Sequence, residues 1–369
     1  MLIGVPKEIK DHEFRVGLTP AGVRALVGAG HEVHVQTQAG SAIGYGDALY
    51  AAAGARMVAT AAEAFACAMV VKVKEPQPAE ITLLQEGQIL FTYLHLAADV
   101  ELTRRLVDRK IIGIAYETVS DAQGRLPLLT PMSEVAGRIA LQAGATCLQM
   151  NHGGSGVLLG GVPGVAPGKV VILGAGTVGT EAAKMAMGLG ADITIVDLNL
   201  NRLRYLDDVF GGRIKTQYSQ ASAIEALVSD ADLVVGSVLI PGKRAPKLIS
   251  RELVGAMRPG SVLVDVAIDQ GGCAETSRPT THSAPTYVES GVVHYCVTNM
   301  PAACARTSTQ ALTHATLPYT LKLANLGYRE ALRQDAGLLT GLNLHLGQVT
   351  HPNVAADLGY EYRPFHLGT

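Results

Sequence analysis

The feature that most constrains the fold is the stretch 169–197, which reads KVVILGAGTVGTEAAKMAMGLGADITIVD. It opens with consecutive apolar residues, as expected of a strand that is buried on both faces. The sequence GAGTVG follows at 174–179, and the Ala-rich sequence at 178–189 then predicts a helix that ends at Gly190. A second apolar strand closes at Asp197. The stretch therefore predicts a β–turn–α–β unit of a parallel sheet.

The turn at 174–179 has the Gly-x-Gly-x-x-Gly pattern of dinucleotide-binding proteins, in the context between strand and helix that the pattern requires. These glycines allow a tight turn and close approach of a pyrophosphate, to which the helix N-terminus offers N–H groups. Asp197 stands where a carboxylate binds ribose hydroxyls and repels a 2′-phosphate. We therefore expect NAD in preference to NADP, although Arg202 and Arg204 follow closely. A β–turn–α unit without any ligand is the plain alternative.

Composition excludes several classes of protein. The 369 residues suffice for two domains, and 48% hydrophobic against 17% charged residues predicts a large core. A formal net charge of −2 offers no field for nucleic acid or an anionic membrane. Five scattered cysteines without C-x-x-C spacing argue against disulfides and zinc, so we expect no metal. Without a signal-peptide pattern or a bilayer-length apolar run, we expect a cytoplasmic protein.

We call the glycine pattern at 174–179 the fingerprint. Helix and strand patterns also alternate in the part of the chain that precedes it. Apolar runs predict strands at 1–5, 31–36, 69–74, 88–93 and 111–116. Helical spacing between them predicts helices at 20–28, 48–54, 61–67, 81–84 and 100–109. Thr19 is expected to cap the first helix, with Pro20 at its first position. The alternation predicts a first α/β domain with a parallel sheet of its own.

Two long helices are expected to connect the parts of the chain. A link at 127–133 is rich in helix-breaking residues, and Ser133 is expected to cap a helix at 134–150. A second long helix is predicted at 311–326. Further strands are predicted after the fingerprint unit at 231–238 and 261–266, and the stretch 286–299 is expected to contain the last one.

The two domains need not be consecutive in the sequence. Residues 1–130 and 305–369 together would form one discontinuous domain, which we expect to bind the substrate. Residues 131–304 would form the inserted NAD-binding domain. The two long helices would then lie at the joints.

Outside the fingerprint, several side chains are of types that bind a small acid or transfer protons. Arg15 lies in a polar loop after the first strand, and strand alternation would put Lys72 and Lys74 on one face. His95 and Asp269 each follow a predicted strand, where ligand sites of parallel sheets collect. Arg and Lys suit the carboxylate of a small acid, and His transfers protons near neutral pH. Each also has a structural alternative, as a solvated charge, a strand-end histidine or a turn aspartate.

Several long stretches of the chain resemble one family over essentially its whole length. They are IGVPKEIKDHEFRVGLTP at 3–20, VKVKEP at 71–76, LHLAAD at 94–99, GVLLGGVPGVAPGKVVILGAGTVG at 156–179, DVAIDQGGCAETSRPTTHS at 265–283 and ARTSTQALTHATLPY at 305–319. With these stretches the chain resembles the bacterial alanine dehydrogenases, of the alanine dehydrogenase/nicotinamide nucleotide transhydrogenase family. The resemblance implies two Rossmann-like α/β domains with parallel sheets, an active-site cleft between them and long connecting helices.

The resemblance also implies an activity and an assembly. The activity is the reversible, NAD-dependent oxidative deamination of L-alanine to pyruvate and ammonium by hydride transfer, and the assembly is a homohexamer. Arg15 and Lys74 would bind the substrate, with His95 as acid/base and Asp269 as its catalytic companion. Further residues would surround NAD, namely Ser133, Gly174, Gly176, Thr177, Val178, Gly179, Asp197, Arg202, Ser219, Val238, Leu239, Ile268, Arg278, Asn299 and Met300.

The sequence departs from the family pattern at two places. MPAACA stands at 300–305, where the family usually has a Gly-containing run, and Glu181 stands in the fingerprint helix where Asn is expected. Two other functions stay open. A coupling domain, as in the transhydrogenase, would bind nucleotide without oxidising an amino acid. A saccharopine-type dehydrogenase would oxidise a different amino acid.

Overall fold

A computed structural model of the chain describes residues 1–238 and 245–366. Contacts between Cα atoms divide it into two compact units. The first unit comprises Met1–Met132 and the described residues from Cys304 onward, and the second comprises Ser133–Ala303. The sequence places these boundaries after residues 130 and 304, and the contacts place them after residues 132 and 303.

The first unit begins with six parallel strands. They are β1 (Leu2–Val5), β2 (Glu32–Gln36), β3 (Arg56–Val58), β4 (Met69–Val71), β5 (Ile89–Thr92) and β6 (Ile112–Ala115). Every residue of β4, β5 and β6 is buried, as the uninterrupted apolar runs predict for strands covered on both faces. The helices between the strands are α1 (Pro20–Gly28), α2 (Asp47–Ala52), α3 (Ala61–Phe65), α4 (Pro78–Ile81) and α5 (Val100–Asp108). The Thr19 hydroxyl accepts the N–H of Gly22 at 3.2 Å, which confirms the predicted cap of α1.

The helix after the breaker-rich link starts earlier than expected. Helix α6 spans Thr130–Cys147, so the prediction that Ser133 caps a helix at 134–150 is wrong. Pro131 lies at the second helical position, where its fixed φ suits a first turn and its missing N–H costs no helical bond. The Pro-rich link therefore includes the beginning of the helix.

The second unit is built on a seven-stranded sheet in the order β12-β13-β11-β10-β7-β8-β9. Its strands are β7 (Lys169–Leu173), β8 (Asp192–Asp197), β9 (Lys215–Tyr218), β10 (Leu233–Gly236), β11 (Val262–Asp265), β12 (Thr286–Glu289) and β13 (Val292–Tyr295). All are parallel except β12. Its helices are α7 (Thr177–Leu189), α8 (Leu200–Phe210), α9 (Ala221–Ser229) and α10 (Arg251–Ala256). Strands β7 and β8 with helix α7 confirm the predicted fingerprint unit.

The last predicted strand of this sheet is a hairpin. Strands β12 and β13 pair antiparallel within 286–299, and Ser290 and Gly291 connect them at φ values of 51° and 77°. Positive φ at both central residues is the geometry of the tight turns that match the twist of paired strands. The stretch therefore contains the expected last strand, β13, and also a second strand, β12, that the sequence analysis does not predict.

The C-terminal part of the chain completes the first unit. Helix α11 (Ala305–Leu326) begins six residues before the predicted helix at 311–326, and α12 (Tyr328–Gln334) and α13 (Ala336–Leu339) follow it. The first half of α11 is rich in Thr, whose hydroxyls bond back to the preceding turn, as Thr313 does to the Thr309 carbonyl at 2.8 Å. This bonding lets buried hydroxyls lie inside the helix.

Two further strands and one helix follow, namely β14 (Leu342–His345), β15 (Gln348–Val349) and α14 (Pro352–Leu358). Strand β14 pairs antiparallel with β6, so the first sheet has the order β15-β14-β6-β5-β4-β1-β2-β3. Leu344, Val349 and Val354 pack in one buried cluster with Leu90 and Leu94. Both units are thus α/β with mostly parallel sheets, which confirms the predicted Rossmann-like fold class.

Candidate active site

Two glycines of the fingerprint are required by the packing of the second unit. Gly174 has φ of +104°, a conformation that residues with a Cβ rarely adopt. A Cβ on Gly179 would lie 1.9 Å from the Gly174 carbonyl oxygen, because α7 begins so close to β7. The Ser237 hydroxyl bonds to the carbonyls of Leu173 and Gly174, at 2.9 Å each, and fixes the same turn. Sequence analysis did not identify Ser237.

Gly176 is different, because the fold does not require it. Its φ is −68°, and a Cβ placed there would meet no atom of the described residues within 4 Å. It immediately precedes α7, a helix of 13 residues whose N-terminal N–H groups favour an anion. The space beside Gly176 and the N-terminus of α7 fits the pyrophosphate of a dinucleotide, so the residues present suit the expected NAD.

Asp197 at the end of β8 has both carboxylate oxygens hydrogen-bonded to the backbone. One accepts the N–H of Ala175 and the other the N–H of Asn199, at 2.7 Å each. Arg202 lies beneath the same turn, where its guanidinium donates to the Ala175 carbonyl and to the Thr180 hydroxyl, at 2.7 Å each. The Arg202 side chain is therefore engaged in holding the fingerprint turn.

Glu181, the departure in the fingerprint helix, points to a neighbouring helix. Its carboxylate lies 2.7 Å from a guanidinium nitrogen of Arg138 on α6 and also contacts the Lys184 ammonium. The helices cross closely here, since a Cβ on Gly137 would lie 2.3 Å from the Val178 carbonyl oxygen. Two cations thus compensate the buried charge of Glu181.

Asp269 lies in a short 3₁₀ helix, Val266–Gln270, directly after β11, and its side chain is exposed. Asp265 starts this segment and is fully buried. Its carboxylate accepts the N–H groups of Ala267 at 3.1 Å and Cys273 at 2.8 Å. The neighbouring Gln270 has a buried side-chain oxygen with no hydrogen-bond partner among the described residues, so it offers an acceptor to a ligand.

The remaining residues expected around NAD also belong to the second unit. Arg278 stacks its guanidinium over the Tyr287 ring at 3.9 Å. Asn299 has a positive φ of 62°, and its carbonyl accepts a bond from His282 Nε2 at 3.1 Å. Ser133 lies in α6, Ser219 follows β9, Val238 follows β10, Ile268 is buried beside Asp269, and Met300 is buried at the start of a 3₁₀ helix. Leu239 lies outside the described residues.

In the first unit, Arg15 is 1% exposed and is held by a carboxylate that sequence analysis missed. Its Nε and Nη2 donate to the two oxygens of Glu13, at 2.7 and 2.6 Å. Burial alone would lower the pKa of Arg15, but the hydrogen bond and charge of Glu13 raise it. The guanidinium is therefore a fixed, permanent cation, oriented through two of its three nitrogens.

The two lysines after β4 have different surroundings. The strand ends at Val71, so the predicted strand at 69–74 and its alternation do not continue to Lys72 and Lys74. Lys72 is fully buried, and its ammonium lies 2.9 Å from Glu8 and 2.7 Å from Glu80. Burial lowers the pKa of Lys72, but the two carboxylates outweigh it and raise the pKa. Lys72 thus forms buried ion pairs with two carboxylates, which favours a structural role.

Lys74 belongs to a second charge cluster. Its ammonium lies 3.3 Å from Glu75, which also receives the Lys10 ammonium at 2.5 Å. Burial raises the pKa of Glu75, but the charges of Lys74, Lys10 and His95 lower it to about 2. His95 thus lies near enough to Glu75 to influence its ionisation, which brings Lys74 and His95 into one neighbourhood.

His95 is exposed and lies three residues beyond β5. Its ring is parallel to that of Tyr93, with an angle of 9° and centroids 5.7 Å apart. Tyr93 is buried, its hydroxyl donates to the Leu128 carbonyl at 2.5 Å, and burial raises its pKa although the Arg15 cation opposes this. Tyr93 therefore stacks on His95 and lies within electrostatic range of Arg15.

The topology of the first sheet explains this grouping. The strand order reverses between β1 and β4, and Arg15 follows β1 while Lys74 follows β4. His95 follows β5, the next strand along. Ligands of open α/β sheets bind at such a switch point, beyond the carboxyl ends of the strands. In the second sheet the order reverses between β7 and β10, beside the fingerprint turn.

The described residues offer neither a metal-binding cluster nor a membrane-spanning helix. Within 1–238 and 245–366, no group of three or more His, Cys, Asp or Glu side chains is arranged to hold a metal ion. In the same part of the chain, no helix combines the length and the apolar character needed to cross a bilayer.

Two models of protein families match this chain. The one described as the N-terminal domain of alanine dehydrogenase/PNT matches residues 4–136, and the one described as the C-terminal domain matches residues 140–352. Among curated proteins, an alanine dehydrogenase of Halomonas elongata is 57% identical over 363 residues, which are 98% of this chain and 98% of that protein. Together the two models account for nearly all of the first 352 residues.

Solved structures give the same relationship. An L-alanine dehydrogenase superposes with a TM-score of 0.94 at 57% identity, and the match covers 97% of this chain and 99% of that one. A transhydrogenase from Sinorhizobium meliloti superposes with a TM-score of 0.80 at 23% identity, covering 95% and 99%. The second likeness concerns the fold alone.

Proposed function

The chain belongs to the alanine dehydrogenase/PNT family and is an enzyme, and we propose that it catalyses the reversible NAD-dependent oxidative deamination of L-alanine to pyruvate and ammonium. The first unit would bind the amino acid and the second would bind NAD. The observation that carries the proposal is the grouping of Arg15, Lys74 and His95 at the switch point of the first sheet.

Arg15 and Lys74 would bind the carboxylate of alanine. Arg15 is suited to this role because Glu13 fixes its guanidinium while the group stays charged. Lys74 adds a second cation after the neighbouring strand β4, although it must exchange part of its contact with Glu75. Two cations in fixed positions would orient the Cα–H and the amino group of the substrate.

NAD would be held by the turn around Gly176, by the N-terminus of α7 and by Asp197, with the other residues expected at the cofactor completing its site. When bound, NAD supplies the acceptor for the hydride from Cα, which leaves iminopyruvate. Glu181 does not oppose the pyrophosphate, because its charge is paired with Arg138 and Lys184. Asp269 and Gln270 offer polar oxygens at the carboxyl end of β11, where Asp269 would polarise the reacting nitrogen or position water.

His95 would transfer the protons of the hydrolytic half-reaction. Neutral His95 accepts a proton from the water that attacks the imine carbon, and the carbinolamine then collapses to pyruvate and ammonia. In the reverse direction protonated His95 donates. An exposed imidazole near a carboxylate, as His95 is near Glu75, suits a group that must exchange protons with water.

The proposal is tested with His95→Ala. We expect loss of alanine-dependent NAD reduction by about 10²–10⁴-fold or more, because the proton-transfer group is gone. NADH affinity should be almost unchanged, because the fingerprint and Asp197 belong to the other unit. The two quantities are measured on the same folded preparation, by NADH fluorescence titration and by the deamination rate at alkaline pH.

As a control, NAD reduction by the unmodified enzyme is compared with alanine, serine, glycine and lysine as substrates. If His95→Ala keeps the deamination rate within a factor of a few of the unmodified enzyme, His95 is not the acid/base group. NADH binding without any amino-acid oxidation by the unmodified enzyme would instead indicate a coupling domain. Preference for lysine would indicate a saccharopine-type substrate.

A further inference from the structure

A carboxylate in the segment that follows the neighbouring strand binds the backbone of the His95 loop. Glu117 lies in a short 3₁₀ helix, Tyr116–Thr118, that directly follows β6. Strands β5 and β6 pair in parallel with Thr92 opposite Ala115, so the segments that follow them are neighbours. Glu117 Oε1 accepts the N–H of His95 at 2.6 Å, and both its oxygens lie 3.2 Å from the N–H donor nitrogen of Leu94.

His95 needs such support because of its backbone conformation. Its φ of 49° and ψ of 38° are left-handed, a conformation that is unfavourable for a residue with a Cβ. A hydrogen bond from a backbone N–H to a charged carboxylate is short and about twice as strong as a neutral one. The bond at 2.6 Å to the His95 N–H therefore stabilises a conformation that the residue would otherwise leave.

The backbone conformation decides where the imidazole lies. The orientation of the Cα–Cβ bond follows from φ and ψ, and these also select the allowed side-chain rotamers. Relaxation of the loop to negative φ would rotate that bond and end the parallel stacking of the ring on Tyr93. An acid/base group must lie within hydrogen-bond reach of the atom it protonates, so such a rotation would remove it from the reaction.

The turn that carries Glu117 is itself anchored by the C-terminal part of the first unit. Asn343 on β14 is 1% exposed and donates its side-chain amide to the Thr118 hydroxyl at 2.6 Å. The Thr340 hydroxyl donates to the Thr118 carbonyl at 2.7 Å. The carboxylate therefore projects from a held turn and not from a free loop.

We infer that Glu117 is a positioning residue that holds the His95 backbone in the left-handed conformation and thereby aims the imidazole for proton transfer. The inference rests on the proposed role of His95. Glu117 acts through the backbone amide, so an uncharged acceptor of the same shape can replace it in part.

The test compares Glu117→Ala and Glu117→Gln in the full-length enzyme, with Asp99→Ala as the matched control. Asp99 is also a carboxylate near this loop, and among the described residues its side chain accepts the N–H of Leu102 at 2.9 Å as the cap of α5. Removal of the Asp99 carboxylate should loosen the end of the His95 loop without affecting the hydrogen bond from the His95 N–H to Glu117. The kcat and KM for pyruvate, NADH affinity and Tm are measured for all three.

We expect Glu117→Ala to lower kcat by about 10- to 100-fold, the effect of a displacement of about 1 Å of a catalytic group. NADH affinity should stay the same, and KM for pyruvate should change less than kcat because Arg15 and Lys74 are untouched. Glu117→Gln keeps an oxygen for the His95 N–H and should recover most of the rate. Asp99→Ala should leave kcat unchanged even where its Tm is lower.

Three results would overturn the inference. A folded Glu117→Ala enzyme with normal kcat would show that the bond does not aim His95. Equal loss in Glu117→Gln and Glu117→Ala would mean that the carboxylate itself reacts. Equal loss in Asp99→Ala would mean general loosening of the loop. If His95→Ala keeps its rate, the proposed function fails first, whatever Glu117 does.

Discussion

Asp197 shows how a single carboxylate serves both the fold and the expected ligand. Its two oxygens already accept the N–H groups of Ala175 and Asn199, so its position is fixed before any nucleotide binds. The fixed negative charge ends β8 beside the fingerprint turn. Arg202, the nearby cation that could favour a 2′-phosphate, is engaged with the Ala175 carbonyl and the Thr180 hydroxyl.

We therefore predict that NAD is preferred over NADP by more than about tenfold, a difference of about 1.4 kcal/mol. Steady-state kcat/KM with each cofactor measures the ratio. Asp197→Ser should lower the preference for NAD over NADP, because a serine hydroxyl can still accept the Ala175 N–H but does not repel a phosphate. Comparable values for the two cofactors in the unmodified enzyme would show that Arg202 or Arg204 outweighs the carboxylate.

At the scale of single elements, the fingerprint glycines at the N-terminus of α7 differ in whether the fold requires them. Gly174 and Gly179 are fixed by backbone conformation and by contact, whereas Gly176 is not. The absence of a side chain at Gly176 has no structural reason among the described residues. We propose that a ligand approaches the backbone there.

We predict that Gly176→Ala lowers NADH affinity by at least about tenfold while the free energy of unfolding falls by roughly 1 kcal/mol, since Ala is a much poorer N-cap residue than Gly. Gly188→Ala on the same helix is the control, because its Cβ also meets nothing within 4 Å. That change should stabilise the helix by roughly 0.5–1 kcal/mol and leave NADH binding unchanged. Unaltered affinity in Gly176→Ala would mean that the pyrophosphate does not approach this turn.

The sequence predicted best those elements whose boundaries are set by local chemistry. Helix α7 is bounded by fingerprint glycines and by Gly190, which has the expected left-handed conformation at φ of 81°. The start of α6 and the hairpin at 286–299 were missed, because Pro131 suits a helix start as well as a break and Ser290–Gly291 is a weak turn signal. The environment of a side chain was harder to predict.

Lys72 and Lys74 show why the environment of a side chain is hard to predict from the sequence. They are the same residue type two positions apart, yet Lys72 is fully buried between Glu8 and Glu80. Glu8 lies 64 residues away in the sequence, so no local pattern could reveal the pair. The roles of Glu13 and Glu75 could have been suspected, because each stands beside the cation it contacts. Glu117 could have been found only from the pairing of β5 with β6.

At the scale of the whole molecule, the second unit exposes several large apolar side chains in the Gly-rich stretch after α6. They are Met150, Leu158, Val162 and Val165, between 53% and 78% exposed. Water-exposed apolar surface of this kind is typical of surfaces that are covered by another protein chain. Together with the resemblance to the bacterial alanine dehydrogenases, it favours assembly of several copies.

We predict a homohexamer, with a mass of about six times the 38.6 kDa of the chain. Light scattering coupled to size-exclusion chromatography at micromolar concentration measures it. Val165→Glu should weaken the assembly if this surface is buried in it, whereas the exposed Val288→Glu on the edge strand β12 is a control of the same chemistry elsewhere. A monomeric mass for the unmodified chain would contradict the prediction.

The pairing of β14 with β6 has a consequence for the newborn chain. As the ribosome releases the protein from its N-terminus, β6 emerges early, but its partner follows only after the entire second unit. The delay is roughly 200 residues, on the order of tens of seconds at ordinary rates of translation. During that time one edge of the first sheet has no neighbour, and the apolar surface that Leu344 and Val354 later cover is open to chaperones and to aggregation. The inserted unit, whose residues are contiguous, can finish folding first.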